Sequence, residues 1–233
     1  MIISVSRRTD IPAFYAEWFY NRLRTGYVLV RNPMNVHSVS KVALSPEVVD
    51  AFVFWTKNPL PLMKRLDELA EYPYYFQFTL TGYGKDIEPG LPDKKQVLLP
   101  AFKDLAYKIG KRRVIWRYDP IFFSSRYSAE YHLECFEALA AELSGSTERC
   151  VISFMDEYRN TKRNAQKLGA VNYSSDEIYA FAARLAKIAD KYGLELQTCA
   201  ETADFTPLKL KSYGASSMWA RGKAMGWGFP SFA

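Results

Sequence analysis

The run Val114-Ile115-Trp116-Arg117-Tyr118-Asp119-Pro120 decides the reading of the fold. Val114–Tyr118 reads as a strand with apolar side chains on both faces, the pattern of a strand covered on both sides. Charge follows at once, and Arg117 and Asp119, two residues apart, point the same way. Downstream, Ala129–Leu143 has the spacing of an amphipathic helix, and Cys150–Phe154 is another short apolar run. Two strands joined by a helix of that length predict a parallel pair.

The same alternation extends in both directions. Upstream, Tyr74–Leu80 is a strand and Leu98–Ile109 a helix, separated by a loop rich in Gly and Pro. Ala51–Trp55 is a strand, and Pro59 and Pro61 open a helix over Leu62–Leu69. At the start, Ile2–Val5 is a strand and Ala13–Leu23 a helix, with Asp10 as its cap. Tyr27–Val30 and Val36–Leu44 read as a hairpin inserted between two units. Downstream, helix Asp176–Tyr192 ends at Gly193 and leads to strand Leu194–Thr198. About six βα units result. The prediction is an α/β protein with a parallel (βα) TIM-like barrel, incomplete because a barrel needs eight strands. An open doubly wound sheet is the alternative, but no GxGxxG follows the first strand. The barrel domain spans residues 1–202. Residues 203–233 show neither period and read as an atypical tail, with four basic residues against the single acid Asp204.

In parallel α/β folds the site forms at the carboxyl ends of the strands. Those ends carry Arg7, Arg8 and Asp10, then Lys57 and Asn58, then Thr79, then Arg117 and Asp119, then Ser153, then Cys199 and Glu201. Charges set directly after apolar strands are costly to desolvate unless paired. We therefore expect these residues to gather around one polar mouth. Arg7, Arg8, Lys57 and Arg117 suit a small anionic or polar ligand, with Asp10, Asn58, Thr79, Ser153 and Cys199 lining it. Asp119 and Glu201 are the candidate catalytic acids, placed to orient the ligand or move protons. The plainer reading of each is structural: a rim salt bridge, or, for Asp10, a helix cap.

Other signals read as structural. His132 falls on the helix Ala129–Leu143 as a surface or half-buried residue, and His37 on the hairpin. Cys135 reads as packing and Cys150 as core, while Lys111-Arg112-Arg113 is a solvated turn. Tyr72, Tyr74, Tyr75, Phe76 and Phe78 read as core rather than a base-stacking platform.

Composition narrows the classes. No stretch of eighteen apolar residues predicts a membrane span, and the first residues lack the pattern of a secretory signal, so a cytoplasmic address is expected. Three cysteines and two histidines, with no CxxC pair, exclude a disulfide framework and predict no metal site. The net charge of +6 is compatible with nucleic acid or an anionic ligand as partner.

Several strand-end motifs together resemble a bacterial family, the domain of unknown function 1848. They are Ser6-Arg7-Arg8-Thr9-Asp10-Ile11-Pro12, Phe54-Trp55-Thr56-Lys57-Asn58-Pro59, Phe76-Gln77-Phe78-Thr79-Leu80-Thr81-Gly82-Tyr83 and Trp116-Arg117-Tyr118-Asp119-Pro120. Asn32-Pro33, Ile152-Ser153-Phe154 and Thr198-Cys199-Ala200-Glu201 fit as well, so the resemblance covers about residues 2–201. It implies a relation to radical S-adenosylmethionine (SAM) enzymes, whose [4Fe–4S] cluster and S-adenosylmethionine are cofactors of the full-length relatives. Their cysteine cluster near the C-terminus has no counterpart after Glu201 here. We therefore expect no cofactor in this chain, and residues 203–233 read as a truncated or frame-shifted end. The expected function is an enzyme-type protein binding an anionic or polar ligand. The rivals are a nucleic-acid-binding or processing protein and a non-catalytic remnant.

Overall fold

A computed structural model describes residues 1–35, 37–155, 168–171, 173–199, 205–208 and 210–213. Glu201, Val36 and the tail beyond Tyr213 lie outside the described residues. The chain divides into two compact units, the first from Met1 to Phe78 and the second from Thr79 onward.

The first unit begins with β1 (Ile2–Ser4), followed by α1 (Ile11–Phe14) and α2 (Ala16–Thr25). The predicted single helix is broken at Tyr15, whose φ of −134° and ψ of 28° leave the helical region. The periodicity hides this, because Tyr15 still donates to Ile11 O and accepts from Phe19 N, which keeps the apolar positions in phase. Gly26 ends α2 at a φ of 78°, in the left-handed region where glycine has no side chain to clash. β2 (Tyr27–Arg31) and β3 (Val39–Ala43) form the expected antiparallel hairpin, with Tyr27 opposite Ala43.

β4 (Ala51–Thr56) follows, then α3 (Leu60–Met63), a 3-10 turn (Leu66–Leu69) and β5 (Tyr74–Thr79). Here too a predicted helix is split. Arg65 leaves helical geometry between α3 and the turn, and its side chain ion-pairs with Glu17 and Glu68 over the ring of Tyr20. β1 pairs in parallel with β4, and β4 with β5. β4 and β5 are almost wholly buried. Phe19 of α2 packs edge-on to Phe52 and Phe54, and Phe54 stacks on Phe76. The aromatic run from Tyr72 to Phe78 is therefore core, as read from the sequence.

In the second unit a π-helical turn (Lys94–Leu98) leads into α4 (Leu99–Ile109). The Lys111–Arg113 turn, exposed at Lys111 and Arg112 and half-buried at Arg113, precedes β6 (Val114–Ile121) and β7 (Phe123–Ser124). α5 (Ala129–Leu143) is capped by Ser128, whose Oγ accepts from Tyr131 N. β8 (Arg149–Phe154), β9 (Ala170–Val171) and α6 (Ser175–Lys191) follow. α6 opens with a reciprocal capping box between Ser174 and Glu177. β10 (Glu195–Thr198), a 3-10 turn (Thr206–Leu208) and β11 (Lys211–Ser212) end the described chain. β6, β8, β10 and β11 are parallel neighbours in that order, and β7 pairs antiparallel with β9.

The parallel α/β class stands, and the strands form an open sheet rather than closing into a barrel. Among the described residues β1 pairs with β4 alone and β11 with β10 alone, so the ladder stays open. Among the described residues the parallel strands number seven rather than six, since β11 falls in the segment read as tail. Two residues are too few to display a period.

Candidate functional site

In the first unit the carboxyl ends of β1 and β4 meet at Asp10. Its Oδ1 accepts from Ala13 N at 3.0 Å, capping α1, and its Oδ2 accepts from Lys57 N at 2.8 Å. Thr56 adds a side-chain hydrogen bond to the same carboxylate. Thr56 Oγ1 in turn accepts from Asn58 N at 2.9 Å, and Asn58 Oδ1 accepts from Leu60 N at 3.2 Å. Burial raises the pKa of Asp10 above the ordinary carboxylate value, outweighing the hydrogen bonds from Lys57, Thr56 and Ala13 that favour its charge. The structure thus brings Asp10, Lys57 and Asn58 together through hydrogen bonds to backbone N–H groups.

Arg7 and Arg8 are exposed on the loop after β1. Arg8 Nη2 donates to Arg31 O at 2.7 Å, latching that loop to the end of β2. Beneath them lies a cavity of about 450 Å3, walled by β1, α2 and β2. Arg7, Arg8, Arg22 and Arg31 border it together with mostly apolar side chains. The sequence reading missed Arg22 and Arg31. Arg22 sits one turn after Trp18 on α2, but its role depends on where the hairpin lies, which spacing does not reveal.

In the second unit three strand-end groups converge. Arg117, on β6, is 2% exposed. Its Nε donates to Asp119 Oδ1 and Oδ2 at 3.0 and 2.9 Å, and its Nη2 to Oδ2 as well. It also hydrogen-bonds Cys199, which follows β10, and its guanidinium lies 5.8 Å from the ring of Tyr213. β8 separates β6 from β10, so the side chains bridge across the end of the intervening strand. Burial works against the Arg117 charge, but the hydrogen bonds and attraction of Asp119, with Cys199, hold its pKa above the ordinary value. The Asp119 side chain keeps 11% of its surface exposed, enough to reach a ligand. Ser153 and Thr79 are half-buried at the ends of β8 and β5. Glu201 lies outside the described residues.

His132 corrects the sequence reading. It is fully buried, with Nδ1 at 3.0 Å from Tyr118 Oη and Nε2 at 3.0 Å from Phe122 O. The carbonyl can only accept, so Nε2 carries the proton and Nδ1 accepts from the tyrosine. Burial lowers its pKa, which keeps the ring neutral.

Among the described residues no group of three His, Cys, Asp or Glu is disposed to hold a metal. Cys135 is half-buried on α5, Cys150 is wholly buried in β8, and Cys199 is bonded to Arg117. Nor is any described helix long and apolar enough to cross a membrane.

Comparison with known families matches residues 2–216 to the one described as Domain of unknown function (DUF1848). No curated protein matches the sequence. Among solved structures, a protein of Bacteroides thetaiotaomicron VPI-5482, provisionally assigned as an alpha-L-fucosidase, is similar over 97% of this chain and 83% of its own. The identity is 12% and the TM-score 0.36.

Proposed function

The chain belongs to the DUF1848 family, and from that premise we propose that it is a bacterial cytoplasmic enzyme whose site lies at the strand ends of the second unit. Its ligand in this reading is a small anionic or polar molecule. The observation that carries the reading is the meeting of Arg117, Asp119 and Cys199 from two strands that are not neighbours. A buried guanidinium held along its Nε edge by a carboxylate is a rigidly oriented donor fork within a neutral ion pair, a geometry that suits a polar ligand or a carboxylate or phosphate group. Asp119 is the group placed to orient a ligand or take up a proton. A relation to radical S-adenosylmethionine enzymes belongs to this reading as a family trait, and no step here is routed through a cluster.

Truncating Arg117 is a poor test, because it would strand Asp119 as a lone buried charge at a cost of about 3–5 kcal/mol. Asp119→Asn and Cys199→Ala are the better variants. Calorimetric titration with inorganic phosphate and with S-adenosylmethionine should show stoichiometric binding to the wild-type chain. Asp119→Asn should weaken S-adenosylmethionine about tenfold, the loss of one charge-assisted contact from the ligand's ammonium to the carboxylate, and should tighten phosphate by removing a like charge beside Arg117. Cys199→Ala, which loosens Arg117, should weaken both, with circular dichroism unchanged in each variant. Heatless titrations with both probes, or variants that bind like wild type, would remove this reading.

A further inference from the structure

We infer that the cavity of the first unit is a separate binding site for an amphiphilic anion, an acidic head carried on an apolar body. Its volume of about 450 Å3 lies within the range of about 300–1,000 Å3 typical of small-molecule sites. Three independent features point to that ligand chemistry.

The first is the wall. Ile3 and Val5 at the β1 edge, Trp18 and Phe19 on α2, Leu44 after the hairpin and Phe52 on β4 present apolar surface to it. A hydrophilic anion alone would leave that surface in contact with water.

The second is the charge. Arg7, Arg8, Arg22 and Arg31 all border the cavity, and no acidic residue does. None of the four makes an ion pair among the described residues. Four uncompensated guanidinium groups around one apolar hollow create a positive potential that an anion relieves.

The third is an orphaned donor. Arg22 Nε is buried and has no hydrogen-bond partner. Buried polar groups almost always find one, and those left over call for an acceptor that belongs there. A carboxylate or phosphate oxygen at the arginine end of the cavity meets that need, and the body of the ligand then lies against Trp18 and Phe19. The latch from Arg8 Nη2 to Arg31 O joins the β1 loop to the hairpin at this end, so two of the arginines sit on chain segments already tied together.

The test compares four probes on the full chain by isothermal calorimetry, each below its micelle concentration. Decanoate and decyl phosphate carry head and body, decanol the body alone, and inorganic phosphate the head alone. With inorganic phosphate present in excess to fill the second-unit site, one or both amphiphilic anions should still bind one to one, because the head alone does not cover the apolar wall, and the preferred head separates a carboxylate from a phosphate ligand. Decanol should bind at least about tenfold more weakly, the share of a charge-assisted contact. Arg22→Met, which removes the orphaned donor but keeps the apolar stem, should weaken the anion about tenfold. Arg24→Gln, on the same helix but outside the cavity, should leave it unchanged. Equal affinity for decanol and decanoate would overturn the inference, as would the absence of one-to-one binding by either anion. If Arg22→Met does not fold, the comparison of decanol with decanoate on the wild-type chain still decides.

Discussion

Asp10 answers two demands that conflict. As the cap of α1 it supplies an acceptor to Ala13 N, and as the junction between strand ends it accepts from Lys57 N. Burial nevertheless raises its pKa, so the folded state favours the protonated acid more than the unfolded chain does. The sign follows from linkage. The stabilisation from this group is complete below the unfolded carboxylate value of about 3.9 and is lost as pH rises through the higher folded value. Asp10→Asn cannot ionise, so the unfolding free energy of wild type minus variant should fall as pH climbs from about 4 to 7. Denaturant titrations at several pH values would read this, and parallel profiles would refute it. Asp10→Ala should cost a further 0.5–2 kcal/mol, roughly, because the cap acceptor is gone. Residue-scale reading of the sequence named this cap, and strand parity placed Arg117 and Asp119 on one face. It also named Cys199 at its strand end, but not the contact of Cys199 with Arg117, which depends on the spatial order of β6, β8 and β10. His132 was misread for a similar reason: its burial is set by Tyr118 on β6 and Phe122 just after it, not by helical spacing.

Elements were legible where several apolar residues repeated a period, and illegible where one residue changed course. β4, β5 and β6 declare themselves through apolar side chains on both faces. The breaks at Tyr15 and Arg65, and the two-residue strands β7, β9 and β11, leave no periodic trace. The loop after β5 shows how close elements come. Gly82 O accepts from Tyr131 Oη at 2.6 Å, and a Cβ on Gly82 would stand 2.8 Å from Cys135 Cβ and 2.9 Å from its Sγ on α5. Two rigid elements must part to admit it. Gly82→Ala should therefore destabilise the protein by about 1–3 kcal/mol in urea unfolding, the cost of overpacking. Gly84→Ala is the control. The nearest atom to its Cβ, at 2.8 Å, is Asp86 Oδ1, the end of a side chain that can turn aside. Its cost should be the smaller of the two, and a reversed order would show that the loop after β5 yields more readily than α5 packing implies.

At the scale of the whole chain the question is whether three thiols can act as one ligand set. A [4Fe–4S] centre needs closely spaced thiolates, and the 233 residues contain three cysteines in all. They stand on α5, within β8 and after β10. Cys150 is wholly buried, and burial raises its pKa well above the ordinary thiol value, so the thiolate a metal requires is disfavoured where it stands. Burial raises Cys135 as well. Gathering the three would mean drawing a central strand residue out of the core, at the expense of the packing that defines the second unit. Anaerobic incubation with ferrous iron and sulfide, followed by desalting, should therefore leave iron and sulfide far below four of each per chain. Any residual iron should be indifferent to serine replacement of each cysteine. Retention of a full complement that vanishes in Cys150→Ser would mean that β8 opens to expose its interior, and the fold described above would have to be redrawn around a metal.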